Sequence, residues 1–364
     1  ETVGRFAPSP SGRIHLGNIL CCLLAWLSAR QKGGRVILRI EDLDTARCPA
    51  RYGEQMCRDI HWLGLDWDEG PGVGGPSGPY EQSRRTGLYQ AALERLEAQG
   101  LVYPCFCTRA ELHAASAPHR EDGQVIYPGT CRRLSPEEAA EKARRTGRPP
   151  ALRLRVPEEE IAFQDGHMGA YREFLPRDCG DFLLRRSDGM FAYQLAVVVD
   201  DAAMGVTEVV RGADLLASTP RQLLLYRLLG LRAPAFYHFP LLLGSDGQRL
   251  SKRNADAGLD TLGQRYTAPE ILGKLAYLAG FNPSAEPRTG EPRLPYCDGH
   301  KGPKQHIRNP EGLFYQNRPQ ANGLALFQDS SPERDSGIST SGISSRLTMV
   351  SISSSWAHSA GVNR

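Results

Sequence analysis

Two short runs carry side chains whose types and spacing suit phosphate chemistry. Residues 5–18 read RFAPSPSGRIHLGN and residues 248–254 read QRLSKRN. In the first run a short strand leads through a glycine-containing turn into a helix. Backbone N–H groups and the positive end of the helix dipole converge at such a junction and favour an anion. Gly12 lets the chain turn where a side chain would clash, and His15 stands at the turn, able to donate to a phosphate oxygen. The second run, Arg249-Leu250-Ser251-Lys252-Arg253, is a basic loop that can meet the same phosphates. A third group is built from sulfur. Cys105 and Cys107 flank Phe106, and Cys131 follows after a polar stretch, so three thiolates can hold Zn²⁺ with one further ligand.

Elements that could position these groups are legible on either side. TVGRFAP predicts a short strand, residues 15–31 a helix stopped by Gly33-Gly34, and VILRIED a buried strand. Residues 49–64 predict an amphipathic helix, and Thr86 to Gln99 another, capped by Gly100. Strand–helix alternation of this kind implies a parallel sheet covered by helices, and a phosphate loop after the first strand fits a doubly wound α/β fold. Residues 101–175 break the pattern with clustered Cys and a charged stretch, SPEEAAEKARRTGRPP, and are read as an insertion. Residues 181–255 are expected to resume it through DFLLRR, a DG turn, FAYQLAVVVDDAAMG and the strand VTEVVRG. A helix follows from about Thr219 with Pro220 in its first turn, and APEILGKLAYLAG (268–280) predicts another. The expected division is 1–104 for the first half of the nucleotide fold, 105–175 for a zinc-bearing insertion and 176–257 for the second half. A short helical part occupies 258–284, and an aperiodic Ser/Gly/Pro-rich tail, disordered or out of frame, occupies 285–364.

The 364 residues suffice for two or three domains and a substantial core. Apolar content of 40% and charged content of 23% are ordinary for a globular protein. A net charge of +3 permits a local basic patch for RNA without demanding one. No apolar run approaches a membrane span and no signal peptide opens the chain. The expectation is a cytoplasmic, monomeric protein, and the lack of an initiating Met reads as a fragment or a processed form. Nine scattered cysteines, at 21, 22, 48, 57, 105, 107, 131, 179 and 297, suit a reducing compartment better than a disulfide framework. Cys21, Cys22 and Cys57 lie in apolar helical stretches and are read as small core residues.

The two loops resemble the HIGH and KMSKS signatures of class I aminoacyl-tRNA synthetases. RFAPSPSG, RIEDLDTAR (39–47), YEQS (80–83), AYQLAVVVDD (192–201) and RGADLLASTPRQ (211–222) narrow the resemblance to the glutamyl branch, over roughly residues 3–283. The resemblance implies ATP with Mg²⁺, held by Pro10, Gly12, His15, Gly17, Asn18, Ser251 and Lys252. Gly17 would admit the adenine ring, and His15, Gly17 and Lys252 would serve catalysis. Arg249 replaces the family's first loop Lys and keeps its charge. The implied glutamate pocket is Arg5, Phe6, Ala7, Pro8, Ser9, Glu41, Tyr193 and Arg211. The residue types agree with that role. Arg5 and Arg211, each near the end of a strand, offer planar forks for carboxylates. Glu41 suits an ammonium, Tyr193 offers a hydroxyl and Ser9 can hold the α-carboxylate end.

Coordination chemistry alone would choose His113 or His119 as the fourth zinc ligand, because Tyr is rare in that role. The C-x-C…Y-x-x-x-C spacing, however, resembles the glutamyl-Q tRNA(Asp) synthetases, in which Tyr takes that place. The resemblance thus implies one structural Zn²⁺ on Cys105, Cys107, Tyr127 and Cys131. It implies activation of L-glutamate to glutamyl-adenylate without tRNA, then transfer to queuosine at the wobble position of tRNA(Asp). Other readings stay open: a truncated glutamyl-tRNA synthetase charging tRNA(Glu), a non-catalytic RNA-binding relic, or another H-x-G nucleotidyltransferase. The last leaves RIED and RGADLL unexplained. The joint presence of Arg5, His15, Arg211 and Lys252 argues against a relic.

Overall fold

A computed structural model describes residues 1–114, 126–242 and 258–279. Strand β1 (Val3–Phe6) runs parallel to β2 (Arg35–Leu38), with Val3 opposite Arg35 and Phe6 opposite Leu38. Helix α1 (Leu16–Gln31) crosses over between them. It stops where Gly33 takes φ 64°, a conformation glycine adopts without penalty. Gly4 lets α1 approach β1, because a Cβ there would lie 3.1 Å from Cβ of Ala29.

A second unit of the same kind follows late in the chain. β8 (Glu208–Gly212) is parallel to β9 (Ala235–Phe239), joined through α8 (Thr219–Leu228). β8 lies beside β1, where the Thr207 amide donates to the Val3 carbonyl at 2.9 Å. The order across this layer is therefore β2-β1-β8-β9. Strand alternation sends successive side chains to opposite faces. Val3, Ile37, Val209 and Phe236 join one core, with residues of α3 (Thr86–Ala98), α7 (Tyr193–Ala203) and α8. Phe6, Leu38, Val210 and Tyr237 join the other, with α1, α2 (Ala50–Trp62) and α10 (Ala268–Leu278). Apolar residues covered on both faces explain the near-continuous hydrophobic strands. The α/β doubly wound expectation holds.

Between these halves β3 (Val102–Cys105) pairs antiparallel with β4 (Ala151–Leu154), and β5 (Glu160–Asp165) forms a hairpin with β6 (Gly169–Phe174). Short helices α4 (Arg109–Ala114) and α6 (Leu175–Asp178) flank α5 (Pro136–Thr146), whose start carries a reciprocal Ser135–Glu138 capping box. The segment DFLLRR, expected to resume the parallel fold, supplies β7 (Leu183–Arg185), which pairs antiparallel with β4. The inserted sheet thus continues past residue 175, because apolar alternation does not reveal which sheet a strand will join. α9 (Leu259–Leu262) and α10 complete the described chain, with α10 packed on α1. No helix among the described residues is long and apolar enough to cross a membrane. The expected tail lies outside the described residues.

Candidate active site

The same alternation that divides the cores aligns the charged residues. Moving along β1 and β8, Val3 and Val209 face the α7 side, so Arg5 and Arg211, two residues on, face it too. By the same count Ile37 leads to Arg39 and Glu41 beyond β2, and Phe236 leads to His238 on β9. All lie at the carboxyl ends of parallel strands, where open α/β sheets place their ligand sites. They are at most 9% exposed: Arg5 5%, Arg39 0%, Glu41 9%, Arg211 4% and His238 0%.

Charges this deep require partners, and α7 supplies them. Asp201 Oδ1 accepts from Arg39 Nη1 at 2.7 Å and from Arg5 Nε at 3.4 Å. Arg39 Nη2 donates to Glu41 Oε1 at 3.1 Å. Asp200 accepts from Arg85, Gln82 and Tyr89 at 2.6, 2.8 and 2.8 Å. Burial pulls the Asp201 carboxyl upward, but Arg39 and Arg5 outweigh it and hold the group below the ordinary range. At Glu41 burial wins over Arg39 and Arg5, and its carboxyl is pushed up. The half-buried Tyr193, at the start of α7, stands within electrostatic reach of Arg211, Glu41 and Arg5. Burial raises its phenol, against the pull of Arg211.

The structure brings the expected Arg5 and Arg211 within electrostatic reach of each other, and the residues that organise them were not singled out. Arg39 and Asp201 lie inside the RIED and VVVDD runs, and their weight shows only once α7 is docked. Phe6 and Pro8 are buried, Ala7 is half-buried and Ser9 is exposed. The Glu41 amide donates to the Pro8 carbonyl at 2.9 Å, tying the Ala7–Ser9 segment to the end of β2.

Arg211 is held differently from Arg5. Its Nε donates to His238 Nε2 at 2.9 Å, and its Nη2 donates to Thr219 Oγ1 at 2.9 Å and to the Leu215 carbonyl at 3.4 Å. Nη1 is buried with no hydrogen-bond partner among the described residues. The other nitrogens are occupied by the protein, so the expected fork presents one nitrogen, with its N–H donors, to a ligand. Burial pushes this guanidinium below its ordinary value.

The phosphate loop leaves β1 and reaches α1 through Gly12, whose φ is 153°. His15 caps α1 in extended conformation, and its carbonyl accepts the Asn18 and Ile19 amides at 2.9 and 3.0 Å. A Cβ on Gly17 would stand 3.2 Å from His15 Cε1, so glycine there makes room for the imidazole. Pro10 is buried and Asn18 half-buried. Ser251 and Lys252, with Arg249, lie outside the described residues. The chain returns at Gly258 in an antiparallel bridge with His15.

In the insertion, the thiols of Cys105, Cys107 and Cys131 gather within 4.8 Å of one another. The Tyr127 hydroxyl is 3.5 Å from Cys105 Sγ and 3.8 Å from Cys107 Sγ, and Cys107 and Cys131 sulfurs are 3.7 Å apart. A tetrahedral ion with Zn–S near ~2.3 Å needs sulfurs about 3.8 Å apart. The Tyr127 oxygen also accepts the Cys131 amide at 2.8 Å, and Arg153 stacks 3.8 Å over the Tyr127 ring. Burial raises Cys105, yet Arg153 and the Tyr127 hydroxyl outweigh it and lower the thiol. Burial and the charge of Cys105 push Cys107 up to about 12. Such a donor set suits a cation, which would relieve the repulsion between thiolates. His119 lies outside the described residues, as does the His113 side chain.

Residues 1–288 match the family of class I tRNA synthetases (E and Q), catalytic domain. The chain belongs to that family. Among curated relatives of this class I synthetase, glutamyl-Q tRNA(Asp) synthetase of Symbiobacterium thermophilum is 56% identical over 311 residues, covering 84% of this chain and 95% of its own. Glutamate–tRNA ligase 1 of Halorhodospira halophila is 48% identical over 284 residues, covering 78% of this chain and 59% of its own. The solved glutamate tRNA ligase of Elizabethkingia meningosepticum, in complex with its amino acid, superposes with a TM-score of 0.65 at 32% identity. That match covers 76% of this synthetase and 60% of the solved chain.

Proposed function

We propose that this chain activates L-glutamate with ATP and Mg²⁺, then transfers the glutamyl group to queuosine at the wobble position of tRNA(Asp). The carrying observation is that Arg5, Glu41 and Arg211, buried at the carboxyl ends of the parallel strands, share an electrostatic neighbourhood with the half-buried Tyr193 at the start of α7, on the strand layer that leads into the His15 loop. A dicarboxylic amino acid needs cations at both ends and an anion for its ammonium. Arg5 and Arg211 provide the first, Glu41 the second, and Tyr193 and Ser9 complete the contacts. Phe6, Ala7 and Pro8 carry the backbone from Arg5 to Ser9, with the Phe6 side chain turned into the core on the α1 side of the sheet. Pro10, Gly12, His15, Gly17 and Asn18 would cradle the nucleotide, joined by Ser251 and Lys252 of the second loop.

In the first step the glutamate α-carboxylate attacks the α-phosphorus of ATP in line, and the bond to pyrophosphate breaks. The protein supplies no nucleophile. It positions the carboxylate and stabilises charge on the leaving group through His15, Lys252 and the α1 N-terminus, and bound Mg²⁺ would supply further positive charge to the phosphates. In the second step a hydroxyl of the modified base attacks the mixed anhydride and AMP leaves. Zn²⁺ on Cys105, Cys107, Cys131 and Tyr127 would be structural, staking the insertion as a closed site.

The glutamyl-Q relative's higher identity supports this acceptor over tRNA(Glu). The test is acceptor discrimination. Labelled glutamate should load onto tRNA(Asp) bearing queuosine, and neither onto tRNA(Asp) lacking it nor onto tRNA(Glu). Charging of tRNA(Glu) would move the assignment to a glutamate–tRNA ligase.

A further inference from the structure

The inserted hairpin β5–β6 reaches into the nucleotide fold at one point. Asp165, at the end of β5, is 1% exposed and 73 residues from His238 in sequence. Its Oδ2 lies 2.6 Å from His238 Nδ1, and its Oδ1 accepts the amides of His238, His167 and Met168 at 3.1, 3.0 and 2.8 Å. The turn is pressed onto β9. The Gly166 amide donates to the Phe236 carbonyl at 2.9 Å, and a Cβ on Gly166 would fall 1.9 Å from Tyr237 Cε1.

These contacts decide the state of the imidazole. A carboxylate at Nδ1 can only accept, so His238 carries its proton on Nδ1. Nε2 is then a lone pair, and it receives the Nε–H of Arg211 at 2.9 Å. A continuous line results: the carboxylate fixes the tautomer, the tautomer makes an acceptor, and the acceptor holds one edge of the guanidinium. The Thr219 hydroxyl and the Leu215 carbonyl hold Nη2, which leaves the buried Nη1 for a ligand. An Arg with a pinned rotamer loses less entropy on meeting a carboxylate than a mobile one.

We propose that Asp165 and His238 are positioning residues that lock Arg211 in place for the amino-acid substrate, making the inserted hairpin a working part of the pocket. This rests on the reading of Arg211 as a glutamate contact. In Asp165→Asn the amide N–H faces Nδ1, the proton moves to Nε2, and two donors confront each other at Arg211. In His238→Leu the acceptor is lost, whereas the Gln oxygen of His238→Gln can stand near the place of Nε2.

The test is ATP–pyrophosphate exchange by the full chain with glutamate, ATP and Mg²⁺. Asp165→Asn and His238→Leu should raise the glutamate KM about 10-fold or more, with the ATP KM and the rate at saturating glutamate within about 2-fold. His238→Gln should bring the glutamate KM back to within about 3-fold of the parent. Arg211→Gln provides the separation. If it raises the glutamate KM while Asp165→Asn and His238→Leu do not, the positioning role is refuted and the pocket stands. If Arg211→Gln leaves the glutamate KM unchanged, the pocket reading itself fails. Equal damage to the ATP KM, or His238→Gln as impaired as His238→Leu, also overturns the proposal. Should Asp165→Asn not fold, the two His238 variants decide alone.

Discussion

Gly258 pairs with His15 in an isolated antiparallel bridge, and the Leu259 amide donates to the Ile14 carbonyl at 3.3 Å. The chain just after the second signature run is thereby fastened to the first. Lys252 precedes Gly258 by six residues, a span of at most about 20 Å when extended. Phosphates held at the α1 N-terminus, as proposed, would lie within that reach. Lys252→Ala should remove one cation that stabilises the leaving pyrophosphate and slow exchange about 100-fold, roughly 3 kcal/mol in the barrier. The glutamate KM should stay within about 2-fold, since the role proposed for the residue is toward phosphate and not the amino acid. An unchanged exchange rate would remove Lys252 from the site.

Asp201 carries both Arg39 and Arg5 on one oxygen. Neutralising it leaves two buried guanidinium groups without their shared carboxylate, with Glu41 and Asp200 as the remaining close anions for Arg39. Asp201→Asn should lower stability by about 3 kcal/mol in urea unfolding, as breaking a buried pair does. Glutamate binding should weaken in parallel, because Arg5 loses its fixed position. A variant as stable as the parent would show that the cluster does not depend on this carboxylate.

Much of this was readable in the chain, and the remainder failed for a physical reason. The phosphate loop, α1, α8 with Pro220 in its first turn, and α10 are local features, set by glycine, proline and apolar spacing within a few residues. The placement of Arg5 and Arg211 at strand ends was accessible because both follow short apolar strand patterns, and strand ends are where α/β sheets bind ligands. Asp165 and His238 were not, because their link joins an insertion to a distant strand and nothing in either segment announces it. β7 was misassigned for the same reason: its pairing with β4 is a tertiary choice.

Glu41 sets a pH dependence of definite sign. Burial raises its carboxyl pKa above the ordinary value, so the group takes up a proton at a higher pH than an exposed glutamate would. In the proposed pocket only the ionised form would attract the substrate ammonium. Glutamate KM should therefore rise as pH falls, beginning above the usual carboxylate range. The raised pKa also means that bound substrate, which favours the anion, should release a proton from this group on binding near its titration. Glu41→Gln should weaken binding at neutral pH and flatten the acidic limb of the profile. A parent and variant with parallel limbs would exclude Glu41 as the titrating group.

The sulfur cluster predicts one equivalent of Zn²⁺ in the purified protein by elemental analysis. Cys131→Ser should lose most of it, since the Cys107 and Cys131 sulfurs form an edge at 3.7 Å that the ion would span. Chelation should release the metal and lower the melting temperature, because binding energy at a structural site is folding energy. Glutamate activation should survive longer than the insertion's order as metal is removed, provided Asp165 stays docked on His238. The fourth ligand separates by substitution. Tyr127→Phe removes the oxygen at 3.5 Å from Cys105 Sγ and leaves the Cys131 amide without its acceptor, so metal affinity should fall. If Tyr127→Phe keeps the full equivalent while His119→Ala loses it, the tyrosine is a neighbour of the site and the histidine its ligand. Protein that is metal-free as isolated and equally stable in chelator would mean that three close thiols persist here without an ion.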